Sequence, residues 1–531
     1  MSRFRQILIP VALLIAEPIF GAAIAHAVTL DAQATTGHTI AAEGLTLADV
    51  IATTLARSIS IRESVERERI RRSELQIERG AYDLTMGFTA SAGRNSTFFN
   101  RAEQEFYGVP ASLAGTSGYR IGAVKRFRSG ITVSPSLELT RHDALTLRAP
   151  PIVQTQAVIQ FSYPILRAGR PTSEAERVDA AALRLEASEL GVRTTRVLSV
   201  LQAADAYWMY LNAYESLKIL EASEEKARRL LRETRALVAG GERPASDLDQ
   251  LRADLADRFA ARLGADHRLY ASRQHLGMEM GLTADQTSLL PQPATAFPKV
   301  GDTPTVATEA ELFARAQQRR YDLAEAHKTV DAAKGMLDAR RIETRPTLNL
   351  QLNIGYAAQT ERELSVEHHL PPLGQYDIGR PNTSVALVLE WPTINNRGRG
   401  ELGREEAAWR QSRIAEGDLK RQIASRMRVA LRELHTSADQ LAKTDEAVLL
   451  YATAVENEEK RLQLGMSTQF DLLLVEERFR NTLLSRVAAE TRYARSIALL
   501  RYETGTLPGA ESTTQVEHVI KALTTPPASG D

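Results

Sequence analysis

The sequence predicts a mixed α+β fold that is mostly α: long coiled-coil helices with short strands, laid out twice in tandem. Three observations carry this reading. Residues from about 172 to 238 contain no proline, and Val197, Leu201, Ala204, Trp208 and Leu211 recur at alternating steps of four and three, the spacing of a coiled-coil seam. Residues of about 401–463 repeat that spacing with Met427, Leu431, Leu434, Ala438, Leu441 and Val448. Short stretches of period-2 alternation precede each long helical segment at corresponding places.

Composition bounds the rest. The 531 residues carry 66 basic and 66 acidic side chains and no cysteine. Zero net charge removes the electrostatic case for a nucleic-acid binder. Without cysteine there is no disulfide, thiolate nucleophile or iron–sulfur cluster. Past the N-terminus no apolar run approaches ~18 residues, which excludes a helical membrane protein. A β-barrel stays open, because its alternating strands barely register in mean hydropathy.

At the N-terminus, Arg3 and Arg5 precede an apolar stretch from Ile7 to Ile15, and Ala25-His26-Ala27 offers small residues for cleavage. This is the layout of a secretory signal peptide, residues 1–27, followed by a linker over 28–44. The first repeat is expected over 45–289, a Pro-rich linker over 290–306, the second repeat over 307–507 and a C-terminal tail over 508–531.

Within each repeat the order is helix, strands, long helix, tight turn and return helix. Leu84, Met86, Phe88, Ala90 and Ala92 alternate in the first repeat, and Leu348, Leu350, Leu352, Ile354 and Tyr356 in the second. A further strand in each ends at an aromatic-Pro step, Tyr163-Pro164 and Trp391-Pro392. Gly/Arg-rich turns follow, at Gly169 in the first and at Gly398 and Gly400 in the second. Gly241 stands six residues before Asp247, as Gly465 stands six before Asp471. A long helix of this length runs about 100 Å. The other helical stretches, 46–80, 246–283, 308–342 and 469–503, are about half as long and stack in pairs to match it. Each chain then supplies four columns beside a few strands. So few strands cannot close a barrel, and open edges are not tolerated in lipid, so several copies must combine.

Taken in this order, the elements resemble the TolC-type outer-membrane efflux protein family over about residues 45–507. The second tip, Leu464-Gly465-Met466-Ser467 through Phe470-Asp471-Leu472-Leu473, and the closing Thr504-Gly505-Thr506-Leu507 are most similar to its pattern. The resemblance implies a homotrimer that shares a twelve-stranded barrel in the outer membrane of a Gram-negative cell. A periplasmic α-barrel would continue it to a constricted tip, docked to a periplasmic adaptor and an inner-membrane pump. The expected function is a passive exit duct of an efflux or type I secretion system, with outer-membrane lipid as surroundings and no cofactor. The competing reading is a soluble periplasmic coiled-coil scaffold or adaptor, which has no use for amphipathic strands at fixed places.

One departure stands out. Tyr119, Ile121 and Ala123, then Ile131, Val133, Leu137 and Leu139, form an additional alternating pair in the first repeat. A rim hairpin is the favoured expectation, a widened barrel the alternative. Family pores are lined by tip carboxylates, which makes Asp471, Asp247 and Asp249 the candidates here, with Glu242 nearby. The family's second tip aspartate corresponds to Leu474 and its tip arginine to Ser467, so the charged ring is only partly present. Asp247 and Asp471 also stand where a helix N-terminus favours a carboxylate. Gly241 and Gly465, with Ser467, are the candidate adaptor-docking turns. Gly398 through Gly403 spells GxGxxG, but sixty helical residues follow instead of a short helix returning to a strand, so no nucleotide site is expected. His368-His369 is read as part of a solvated extracellular loop over 357–383. Tyr163, Trp391 and Tyr356 are candidates for an aromatic girdle. No nucleophile–base pair or phosphate loop suggests an enzyme.

Overall fold

The structure, a computed structural model, describes residues 44–144, 146, 150–167, 170–241, 244–300, 308–361, 381–509 and 513–528. The expected signal segment, Gly169, Glu242 and His368-His369 lie outside them. The first repeat contains α1 (Leu47–Arg57), α2 (Ile59–Arg79), β1 (Thr85–Phe98), α3 (Arg101–Tyr107), β2 (Ala111–Arg126), β3 (Thr132–Ala144), β4 (Ile152–Pro164), α4 (Ser173–Ala239), α5 (Ser246–Glu279) and α6 (Ala284–Ser288). The second contains α7 (Glu309–Arg319), α8 (Tyr321–Glu343), β5 (Thr347–Glu361), β6 (Asn382–Glu390), α9 (Asn396–Gln463) and α10 (Gln469–Glu503), and α11 (Thr513–Thr524) follows.

The two long helices have 67 and 68 residues. At 1.5 Å per residue each runs about 100 Å. The seam is where the sequence placed it: Ala204, Trp208 and Leu211 on α4 and Met427, Leu434 and Leu441 on α9 are buried. Around them lies a single layer of four columns. In one half α2, α4, α8 and α9 pack in that order; in the other the order is α5, α4, α10 and α9. The second long helix starts earlier than expected because Gly398 and Gly400 belong to its first turns. The turn they were expected to make is instead the link before Asn396, where Pro392 lies and Asn395 takes φ +43° and caps the helix by accepting from the Gly398 N–H. Pro164 is the last residue of β4 and not a turn residue.

All six strands form one antiparallel sheet in the order β1-β2-β3-β4-β5-β6. This corrects the expectation of a rim hairpin. β2 is paired with β1 from Ala111 to Val124 and with β3 over most of its length, and β3 is paired in turn with β4, so both extra strands lie inside the sheet. The physical reason is that a strand wedged between two others satisfies its backbone groups on both sides, which a hairpin standing free of the sheet does not. The loop expected over 357–383 is also shorter, because β5 runs to Glu361 and β6 begins at Asn382.

The largest core sits at mid-height. Tyr207, Trp208 and Tyr210 of α4 are fully buried among Leu47, Val50 and Ile51 of α1, Leu276 and Met280, and Val519 and Leu523 of α11. The expected C-terminal tail therefore contributes a packed helix. The Pro-rich connection is pinned to the same place: the Tyr207 hydroxyl accepts from the Thr295 N–H at 2.8 Å and the Tyr210 hydroxyl donates to the Pro291 carbonyl at 3.1 Å.

The shorter columns are interrupted at this belt. α1 breaks from α2 at Ser58, and α7 from α8 at Arg320. The helix rising from each tip stops against that break. Gly281 follows α5 at φ +71°, and Gly505 follows α10 at φ +67°. A Cβ on Gly281 would lie 2.4 Å from the Arg57 carbonyl oxygen, and one on Gly505 3.1 Å from the Arg320 nitrogen. Arg320, buried at the second joint, donates to the Glu503 carboxylate at 2.6 Å and to its carbonyl at 3.1 Å. The left-handed backbone and the close approach both demand glycine.

Gly281→Ala should therefore lower stability by about 1–3 kcal/mol. Gly417→Ala, in α9 with nothing within 4 Å of the added carbon, should be neutral or stabilising by up to ~1 kcal/mol. Thermal unfolding of the two variants beside the parent checks the contrast.

Candidate functional site

At the second tip the chain reverses through Gly465 at φ +72°, and at the first through Gly241 at φ +75°. The Met466 N–H reaches back to the Arg461 carbonyl at 2.9 Å and closes α9. Thr468 then opens α10 with a reciprocal cap. Its hydroxyl oxygen accepts from the Asp471 N–H at 3.2 Å, while its own N–H and O–H donate to Asp471 Oδ2 at 3.1 and 2.6 Å. Thr468, not Asp471, is thus the cap residue, and Asp471 is the returning half of the box. These hydrogen bonds, that from the Thr468 hydroxyl first, hold the exposed Asp471 carboxyl below its ordinary value. Ser467 donates to Glu458 and lies 3.5 Å from Asp471 Oδ2.

The first tip is built differently. α5 opens at Ala245 with no side-chain cap, and Asp247 and Asp249 both fall in its first turn, where the helix dipole favours them. Asp249 pairs with Arg252 at 3.1 Å. The tips are neighbours, since the Gln469 side-chain amide donates to the Thr234 hydroxyl near the end of α4 at 2.7 Å. The structure therefore places Asp471, Ser467 and Gly465 together at one tip and Gly241, Asp247 and Asp249 at the adjoining one.

Above the tips lies a buried charge network that the sequence reading missed. Arg258 of α5 is 3% exposed and meets Glu476 of α10, itself 7% exposed, at 3.5 Å. It also pairs with Asp254 at 2.8 Å and donates to the Ser223 hydroxyl at 3.0 Å. Lys226 of α4 bridges Glu476 at 2.8 Å and Glu459 of α9 at 2.7 Å. Burial opposes the charge on Lys226, but the two carboxylates outweigh it and raise its pKa. The network ties all four tip helices together. Its signal was present: Arg258 falls at a heptad step between buried Leu251 and Ala265, and Glu224 between Leu220 and Ala227. A charge at a seam position is a request for a partner.

The sheet has two chemically distinct faces. Registered neighbours Phe88, Ile121, Leu137, Ala157 and Tyr356 form one apolar row, and Val133, Phe161, Leu352 and Val385 another. Val385, Leu387 and Leu389 are exposed, as is Trp391 at the helical end. From Leu348 to Tyr356 this face rises about 20 Å for strands tilted ~40°, close to the ~25 Å apolar band of an outer-membrane barrel. The opposite face carries Thr89, Arg120, Glu138 and Gln156 in register, with Arg120 and Glu138 paired at 2.6 Å. Gln160 and Asn353 adjoin there as well, and Asn353 donates to Ser384 at 3.1 Å. Among the described residues no helix is long and apolar enough to cross a membrane, and no group of three or more His, Cys, Asp or Glu is placed to hold a metal ion.

Comparison with known proteins agrees with this layout. The model of the family described as outer membrane efflux protein matches residues 50–281, most of the first repeat. The chain is similar in fold to the Campylobacter jejuni CmeC outer membrane channel, with a TM-score of 0.64 at 15% identity over 91% of this chain and 90% of that one. The outer membrane protein VceC from Vibrio cholerae aligns with a TM-score of 0.63 at 17% identity, over 86% and 96% of the two chains. The open-state Neisseria gonorrhoeae MtrE outer membrane channel gives 0.58 at 16% identity, over 88% and 90%. No curated protein matches in sequence.

Two outcomes are expected from the tips. Because Asp471 titrates below its unfolded value, the stability it lends is present above that value and is lost as pH falls through the folded one. Hydrogen exchange at the start of α10 should thus be faster in Asp471→Asn than in the parent at neutral pH, with the difference vanishing in acid. Glu476→Ala removes the carboxylate shared by Arg258 and Lys226 and should cost about 1–3 kcal/mol, since Arg258 keeps Asp254 and Lys226 keeps Glu459; thermal unfolding of the variant beside the parent measures it.

Proposed function

We infer, from the family match over residues 50–281 and from the fold, that this chain is a channel protein of the outer membrane efflux protein family. We propose that three copies close into one duct, with the sheet spanning the outer membrane and the helical layer forming a periplasmic tunnel. The observation that carries the reading is the two-faced open sheet, apolar on one side and polar on the other, joined to a helical layer with the same open edges. β1 and α2 lie at one edge, β6 and α9 at the other. A soluble scaffold would expose that apolar face to water. Copies joined edge to edge turn it toward lipid and leave the polar face around an aqueous bore.

In this reading the duct is passive and serves an inner-membrane pump through a periplasmic adaptor. The turns at Gly241, Gly465 and Ser467 are the proposed docking points. Asp471, Asp247 and Asp249 are the proposed pore-constriction carboxylates. Their symmetry copies in a narrow ring attract cations, and more strongly as the effective dielectric falls.

Fractionation should recover the protein in the outer membrane, and mass measurement in mild detergent should give a trimer. A soluble periplasmic product, or a stable monomer or dimer, would count decisively against the duct. Single-channel recordings test the constriction: Asp471→Ala should lower cation preference modestly, since Leu474 adds no second charge. Unchanged reversal potentials under a salt gradient would leave Asp471 as the returning half of the capping box alone.

A further inference from the structure

The helical layer has two different faces at the belt. On α4, Tyr207 and Tyr210 turn toward α1, α11 and the Pro-rich connection, while Asp205 and Met209 line a cavity of about 670 Å³ that α4 shares with α9 and α10. Positions two apart on a helix point about 200° apart, so the cavity opens on the face opposite the belt. α10 agrees: Tyr493 and Ile497 pack with Leu312 of α7, while Arg495 and Leu499 line the cavity. Three copies of four columns at about 10 Å spacing make a ring about 38 Å across between axes, with a bore of about 28 Å. A belt about 10 Å thick inside that ring would leave only about 8 Å, so the belt lies outside and the cavity faces the bore.

We propose that this cavity is a transit site on the tunnel wall for drug-sized amphiphiles, molecules with an apolar body and one polar head. Its place on the bore rests on the trimeric duct proposed above. A volume of about 670 Å³ lies within the range that holds one such molecule. The apolar lining comes from Leu201, Trp208, Met209 and Leu499, of which Met209 and Leu499 are exposed. The unbranched Met209 thioether adapts to irregular apolar shapes. At the rim Arg495 of α10 pairs with Asp205 of α4, and Arg492 lies 3.8 Å from Glu433 of α9. Asn212 donates to Thr491 at 2.8 Å beside them. All four charged side chains are more than a third exposed, so the rim offers donors and acceptors to a head of either sign. The wall of the duct is then not chemically inert. The site exchanges its occupant with the bore and retards amphiphilic cargo relative to polar cargo of the same size.

Energy transfer from Trp208 reads occupancy. Trp391→Phe with Trp409→Phe leaves it the one tryptophan of the chain. It lies about 50 Å along α4 from Ser173, too far for transfer to probe dissolved in the bilayer. With the assembled complex in lipid nanodiscs, 8-anilinonaphthalene-1-sulfonate should quench Trp208 saturably. Met209→Gln with Leu499→Gln should weaken that binding about tenfold and leave thermal unfolding unchanged, since both side chains are exposed. The neutral amphiphile octyl glucoside, below its micellar concentration, should displace the probe, and sulfate at matched ionic strength should not. Absence of saturable quenching, equal affinity in the variant, or displacement by sulfate and not by octyl glucoside overturns the site. The bore reading fails separately. Gln202→Cys, exposed at the cavity rim in a chain without cysteine, should react with a small maleimide but not with one carried on a protein wider than the bore. Reaction with the protein-borne reagent would put the cavity on the outer wall and overturn its role in transit, with the amphiphile site itself intact.

Discussion

Open edges govern this molecule. A backbone N–H or C=O removed from water must find a partner, and β1 and β6 each present an edge with no neighbouring strand among the described residues. The cost rises steeply in lipid, where water offers no substitute. The helical layer repeats the condition in apolar terms, since α9 exposes Ile414, Val429, Leu449 and Leu450, and α5 exposes Phe259, Leu263 and Tyr270. Strand order, column order and the shared edges together are what the proposed ring of copies would require of one segment.

Inside that segment the duplication does the positioning. The two halves meet at the belt by the same device: a glycine in left-handed conformation ends a tip helix against the break in another column, Gly281 at Ser58 and Gly505 at Arg320. The chemistry at the two joints differs. The first uses close backbone approach, and the second adds the buried Arg320, held by Glu503 and Asp322. The tips diverge in the same way, a full capping box at Thr468 and none at Ala245. A repeated frame has therefore been kept while its side chains specialised.

Most of that frame was legible in the sequence because it is written as period. Trp208 and Leu434 sit where the three-four spacing put them, and the period-2 runs at Phe88 and Leu352 became strands. What period does not encode was lost. The place of β2 and β3 in the sheet depends on which strands they pair with, and alternation at Tyr119 or Leu137 says nothing of partners. Gly398 and Gly400 were read as a turn because glycine often marks one, yet the cap at Asn395 sets the boundary. The division of labour between Thr468 and Asp471 is a matter of side-chain reach within one turn. The Arg258–Glu476 contact joins residues 218 positions apart, and only the seam spacing hinted at it.

The breaks at Ser58 and Arg320 have a mechanical meaning. α4 and α9 run unbroken from the sheet to the tips, whereas the other two columns are each made of two pieces that abut at a glycine joint without covalent continuity along the axis. A segment so made has two stiff rods and two articulated ones. Torsion applied to an unbroken rod is carried by one continuous hydrogen-bond ladder along its length. Torsion applied to α5 or α10 reaches a swivel at the belt, where the ladder ends. Deformation of the return helices can thus be absorbed on the tip side of the belt, leaving the strand register beyond it undisturbed.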